Sequence, residues 1–353
     1  MSVTPPTEVE CIEETRRLLH RTPRPIHSDF CVAALVVYLD AGGLYRKAFG
    51  VNSETCVMAS CICAERCALT QLRLLPERAR YVIRVYITAT SESLITPGLL
   101  CREFMSEFSG EVCRRRETLE GVSLPSGAPL TDDIQIVLFS HSAAAGGSGG
   151  EAAGKQLARY SLKELYPHPP IYHGVGRSFL HGMASNFADR MSAVNDREDG
   201  DLAACLGGRV GLKQTTALYR AVLSLAKTPH SSDANHPLHL AAGVLFSSGE
   251  MVTERQFPAL EYGCTVDAVT RLSAAMGGRV DSDHSKKDQP LLLLIVDQFG
   301  ICHSPAAEPR SWLTEFAGGQ IRAGLVILVH EGSTGKLLAV NPLTLAPLAP
   351  EIF

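Results

Sequence analysis

The chain has 353 residues, a net charge of −4, 45% hydrophobic residues and 11 cysteines, enough material for two or three soluble globular domains. No Lys/Arg block and no apolar run of membrane-spanning length occurs, which argues against an electrostatic nucleic-acid binder and against an integral membrane protein. The opening MSVTPPTEVECIEETRR carries acids early and no apolar core, and Cys56, Cys61, Cys63 and Cys67 cluster, so a reducing, cytoplasmic compartment with free or metal-bound thiols is expected.

Glu8 to His20 alternates polar and apolar residues at helical spacing and predicts a first helix. Residues 31–38, CVAALVVY, are apolar and β-branched, a buried strand; DAGG turns the chain and LYRKAFGVN returns as a second strand. Cys63 to Leu74 reads as a helix and Tyr81 to Thr90 as a third strand. Leu99 to Phe108 reads as a helix stopped by Ser109-Gly110. Residues 111–132 read as an irregular insertion holding Arg114-Arg115-Arg116, a phosphate contact or, more commonly for such a run, a solvated loop. Ile134 to Ser140 is a fourth strand, and residues 141–155, HSAAAGGSGGEAAGK, have too little apolar mass to pack and read as a mobile loop. Strands alternating with helices give an α/β fold with a mixed sheet covered by helices.

The second half repeats this order. Gln214 to Lys227 predicts a helix, residues 238–254 a strand pair, residues 259–276 a helix and residues 291–300 a third strand. SPAAEPRSWLTEF at 304–316 parallels TPGLLCREFMSEF at 96–108. An internal repeat of about half the chain accounts for the length, with domains expected at 1–172 and 173–353.

The chemistry gathers around two cysteines at helix starts, Cys63 and Cys101, flanking the third strand. Two helix N-termini beside one strand can converge on a point, and a helix N-terminus favours the thiolate that a metal binds. Glu65 lies two residues from Cys63 on the same first turn, able to sit beside a metal without ligating it. Such an arrangement suits a zinc ion that makes hydroxide from water, with the carboxylate carrying protons. Each of these residues also has a bland alternative as an ordinary core or cap residue.

Asn52-Ser53-Glu54, then Cys63-Ala64-Glu65, then Pro97 and Cys101 resemble the cytidine deaminase family pattern of N-x-E, C-A-E and P-C-x-x-C. Ser28 to Gly43 is similar to the family's first strand, with Phe30 at its aromatic position, and LARYSLKELYPHPP to the segment that closes its domain. Gly98 stands where the family's first downstream cysteine would be, and Cys61 adds a thiol two residues before Cys63. The resemblance implies two tandem three-layer α/β domains, the first catalytic and the second degenerate. It implies a zinc ion on Cys63 and Cys101, for which Cys61 is the expected third ligand. It implies Glu65 as the proton carrier, and Phe30, Asn52 and Glu54 as contacts to a nucleoside. Arg66 and Arg102 would offset the charge of the thiolates. The implied reaction is hydrolytic deamination of cytidine or deoxycytidine in pyrimidine salvage, by a homodimer that binds a small nucleoside, with no nucleic acid or membrane partner. The alternative is an inactive deaminase-fold protein that binds a nucleoside or a partner subunit. In the second half Cys264 is expected at the first thiol's place, Val266 in the Glu slot, and Ala306 and Pro309 in the later cysteine slots, a set that cannot hold zinc.

Overall fold

Seven consecutive buried residues, Ala33 to Leu39, make up most of strand β1 (Val32–Leu39). A strand buried on both faces requires a layer on each side. The computed structural model describes residues 4–57, 60–74, 81–91, 93–113, 133–141, 157–171, 206–208, 210–229, 236, 238–280, 288–316, 324–331 and 335–348. The Arg114–Arg116 run and the 142–155 part of the expected loop lie outside the described residues.

Helix α1 (Glu8–Arg21) begins at Thr7, whose hydroxyl accepts from the Glu10 amide, and it places Cys11 against Leu35, Val37, Tyr86, Val137 and Phe139 on one sheet face. The opposite parity of β1, Ala34 and Val36, faces the second layer. There α2 (Ala64–Arg73) packs on β1 and on β2 (Tyr45–Val51). Gly50 pairs with Ala34 and is where α2 touches the sheet: a Cβ on Gly50 would lie 2.1 Å from Ala64 O and 2.5 Å from Ala68 N. Glycine here lets the first turn of α2 lie directly on the sheet.

Strand β3 (Tyr81–Ala89) leads to α3 (Leu99–Ser106), followed by β4 (Gln135–Phe139), β5 (Leu157–Ser161) and the short α4 (Leu162–Leu165). The sheet order is β2-β1-β3-β4-β5, with β3 and β4 parallel and the other pairs antiparallel.

The same path recurs. Helix α5 (Leu212–Ala226) precedes β6 (Leu240–Phe246), β7 (Met251–Arg255), α6 (Ala268–Val280), β8 (Pro290–Asp297) and α7 (Ala307–Ser311). Then come β9 (Val326–His330), β10 (Leu337–Val340) and α8 (Pro342–Leu345), in a sheet ordered β10-β9-β8-β6-β7. Leu218, Tyr219 and Val222 of α5 pack on Ala241, Leu245, Leu292 and Leu294. Val269, Leu272 and Met276 of α6 pack on Ala242, Val244, Leu293 and Ile295 on the other face. Each Val, Leu, Ile or Met side chain so buried contributes about 1.5–3 kcal/mol. Even the register irregularities match, between Val37 and Tyr38 in β1 and between Leu245 and Phe246 in β6. The architecture is α/β with two mixed five-stranded sheets, as the sequence pattern predicts.

The chain divides into two compact units, Met1–Tyr166 with Leu348–Phe353, and Pro167–Pro347. No helix among the described residues is long and apolar enough to cross a membrane.

One sequence alignment needs correction. An isolated bridge joins Ser53 to Ile62 in the first unit and Phe257 to Val266 in the second, and the helices begin at Ala64 and Ala268. Asp267, not Cys264, therefore stands where Cys63 does, and Val269 where Glu65 does. Cys264 is three residues early, in a short 3₁₀ turn that precedes the bridge. Sequence spacing alone aligned two thiols, whereas the backbone pairing sets the register.

Candidate metal centre

Two local devices place Cys63. The Ser53–Ile62 bridge, with Ser53 N to Ile62 O and Ile62 N to Ser53 O both at 2.9 Å, holds the residue before it against the segment leaving β2. Cys63 is then the N-cap of α2, in extended conformation, with Cys67 N donating to its carbonyl at 3.0 Å. Its side chain makes no capping hydrogen bond, so the thiol is left for another purpose. Cys101 lies in the first turn of α3, whose N-cap is Gly98, and is fully buried.

The two helix starts meet. The sulfurs of Cys63 and Cys101 and a Glu65 carboxylate oxygen all lie within 4.8 Å of one another, the one such cluster among the described residues. Cys101 Sγ is 3.7 Å from Glu65 Oε2. Arg66 Nη2 donates to Cys63 Sγ at 3.8 Å and to the Cys61 carbonyl at 3.1 Å.

These neighbours set the protonation. The Cys101 thiol, then Arg66, stabilise a thiolate on Cys63 and pull it below the ordinary thiol range. Cys101 is pushed up by that same interaction and by burial, so the pair shares one proton. Burial, reinforced by the charge of Cys63, raises the Glu65 carboxyl from 4.5 to about 7. A carboxyl near neutrality can both accept and release a proton.

Two thiols and a carboxylate suit zinc, which takes sulfur and oxygen donors and uses three protein ligands in catalytic sites. Arg66 supplies the positive charge that a thiolate-rich site needs, as expected from its position. Its Nε is buried without a hydrogen-bond partner among the described residues. The site fits the metal. A Cβ built on Gly98, the N-cap of α3, would meet nothing within 4 Å.

Cys61 is not brought into the cluster; its Sγ approaches the Val57 carbonyl at 4.0 Å. Asn52 is engaged with the backbone, Oδ1 accepting from Val32 N and Nδ2 donating to Phe30 O, both at 2.8 Å. In the second unit Gln256 Nε2 makes the matching bond to Leu238 O at 2.8 Å. Glu54 accepts from the His27 and Ser28 amides and the Ser28 hydroxyl, and these hydrogen bonds, the Ser28 hydroxyl foremost, hold its carboxyl below the usual range. Phe30, Asn52 and Glu54 gather at the ends of β1 and β2, next to the bridge that carries Cys63.

Arg102 does not reach the sulfurs as the sequence suggested. It is fully buried and donates to Pro97 O, Leu165 O, Leu348 O and Thr96 Oγ1. The sequence carried a signal for this: the repeat retains an arginine, Arg310, at the same place, where no thiol needs an offset charge.

No protein-family model and no curated protein matches the chain. Solved structures similar to it include the cytidine deaminase from Burkholderia pseudomallei, at 21% identity over 46% of this chain and 98% of that one, with a TM-score of 0.32. The cytidine deaminase from Mycobacterium tuberculosis shares 20% identity over 38% of this chain and 94% of its own, with a TM-score of 0.29. That from Mycobacterium leprae shares 17% over 37% and 95%, also at 0.29.

Proposed function

We propose that the chain is a zinc-dependent hydrolase that deaminates cytidine or deoxycytidine to uridine or deoxyuridine, as a soluble cytoplasmic homodimer in pyrimidine salvage. The observation that carries this reading is a buried carboxyl, Glu65, held near neutrality beside two converging thiols. Cys63 and Cys101 would hold the metal, with Cys61, whose sulfur lies outside their cluster, as the proposed third thiolate. The bound zinc supplies the Lewis acidity that lowers the pKa of a water molecule. Glu65 would take one proton from that water and pass it to N3 of the base, and would then carry a second proton, from the hydroxyl added at C4, to the departing amine. Arg66 keeps Cys63 in its thiolate form. Phe30, Asn52 and Glu54 border the approach and contact the nucleoside. The first domain, 1–172, carries the centre; the second, 173–353, is degenerate, with Asp267, Val269, Ala306 and Pro309 in the matching places.

A second reading has one observation in its favour: Glu65, not Cys61, is the third donor in the cluster. If Glu65 ligates the metal it cannot carry protons, and the protein is a binding module for a nucleoside or a partner subunit. Zinc per chain, measured by elemental analysis alongside cytidine turnover, separates the two. Deamination predicts close to one zinc in the wild type and in Glu65→Gln, and most of it lost in Cys61→Ser. The binding module predicts the reverse pattern for the two variants and no turnover.

A further inference from the structure

Two buried arginines hold equivalent positions in the repeat. Arg102 donates through Nε to Pro97 O at 2.7 Å and through Nη1 to Leu165 O at 2.7 Å. Its Nη2 reaches Thr96 Oγ1 at 3.1 Å and Leu348 O at 2.5 Å. Arg310 repeats the pattern on Pro305 O at 2.7 Å, Leu345 O at 2.8 Å, Ser304 Oγ at 2.7 Å and His168 O at 2.5 Å. Each therefore takes one carbonyl from the short helix that closes its own repeat. Each takes another from the residue three places past the short helix of the other repeat. Leu348 belongs to the same compact unit as Arg102, and His168 to that of Arg310.

The two accepting residues, Leu348 and His168, share an uncommon backbone. Leu348 has φ 49° and His168 φ 48°, the left-handed region that disfavours side-chain-bearing residues. The Leu348 side chain is 55% exposed, so burial does not hold this residue in place. Its carbonyl does, accepting from Arg102 and from Thr96 Oγ1 at 2.9 Å.

The consequence falls on the candidate centre. Thr96 and Pro97 precede Gly98, the N-cap of α3, and Cys101 is the residue before Arg102. The guanidinium thus ties the loop entering α3 to the helix turn that carries the buried thiol. We propose that Arg102 is a positioning residue for Cys101 and that the segment after α8, through the Leu348 carbonyl, completes the clamp. That segment is then a working part of the centre. Calling the centre a metal centre rests on the function proposed above; the clamp itself does not.

The test uses full-length variants at one backbone position. Leu348→Pro forbids the positive φ, because the ring fixes φ near −65°, whereas Leu348→Gly permits it. His168→Pro makes the same change at Arg310 and is the control. Co²⁺ alone, followed by its thiolate charge-transfer absorption, reports the centre. Alkylation of Cys101 in metal-free protein, read by mass spectrometry, reports the clamp. Leu348→Pro should weaken Co²⁺ binding and speed Cys101 alkylation by about tenfold or more, the factor for one hydrogen bond to a charged group. Leu348→Gly and His168→Pro should match the wild type. The proposal is overturned if Leu348→Pro leaves Cys101 as protected as before, or if His168→Pro exposes it equally. A wild type that binds no Co²⁺ would count against the metal reading, and the alkylation rates would still decide the clamp.

Discussion

The two repeats share a backbone and differ in what they place on it. Both join the segment after the second strand to the residues before the next helix through one bridge, at Ser53–Ile62 and Phe257–Val266. Both tie the entry of the first strand with a carboxamide, Asn52 or Gln256, and both bury an arginine on carbonyls, Arg102 or Arg310. What survives in the repeat that lacks the thiols is scaffold. What differs is chemistry: Cys63 against Asp267, Glu65 against Val269, Gly98 against Ala306 and Cys101 against Pro309. The comparison also shows what the chemistry costs. Asp267 caps its helix, accepting from Val269 N at 2.7 Å, while Cys63 makes no side-chain cap. Val269 packs in the second core, while Glu65 buries a carboxyl in the equivalent place.

Glu65 should give the largest effect. Glu65→Gln removes the proton carrier and should lower deamination by about 10²–10⁴. The same residue should govern the pH dependence of the metal-free protein. Its folded value, about 7, lies above the ordinary 4.5, so the folded state holds this proton more tightly. The linked stability is full below about pH 4.5 and is lost as pH rises through about 7, on the order of 3 kcal/mol. Denaturant midpoints in chelator should therefore show Glu65→Gln gaining on the wild type between about pH 5 and about pH 8. A gap that does not change with pH would contradict the raised carboxyl.

Next comes the missing cap. Cys63→Asp copies the second repeat and should let the side chain accept from the first-turn amides of α2. Metal-free Cys63→Asp should be more stable than the wild type by about 1 kcal/mol, and it should hold no zinc. Unchanged or lower stability at neutral pH would mean that the backbone at Cys63 does not present a cap geometry comparable to that at Asp267.

Much of this contrast was legible in the sequence. The strands and helices of the first half were readable because runs such as CVAALVVY have one period and one burial state, and they lie within two residues of their predicted places. In the second half the helix expected at 259–276 instead runs from Ala268 to Val280, after the 3₁₀ turn and the bridge. The Cys63–Glu65–Cys101 grouping followed from two helix starts flanking a strand. Three points were not legible. The register of the second repeat depends on a single bridge between Phe257 and Val266, and a nearby cysteine misled the alignment. Cys61 was placed by counting residues, whereas whether its sulfur reaches the cluster depends on side-chain direction beside the bridge. The clamp on Arg102 joins residues 246 apart in the chain, a separation that no local pattern records.

The smallest expected change in stability tests the site at its most open place. Gly98 has φ −62° and ψ 160°, a conformation any residue adopts, and a side chain there would meet nothing within 4 Å. Gly98→Cys should therefore alter folding stability by no more than about 0.5 kcal/mol. Its effect on metal binding should be much larger than that shift suggests, because it adds a thiolate beside Cys101. In the Cys61→Ser background, which is expected to lose most of its zinc, Gly98→Cys should return the content to near one per chain. The matching change in the second repeat, Ala306→Cys, should bring no zinc, since Asp267 is committed to its helix cap and Pro309 offers no donor. A double variant as empty as Cys61→Ser alone would show that position 98 does not face the metal. Zinc gained through Ala306→Cys would show that the second repeat is less degenerate than its residues indicate.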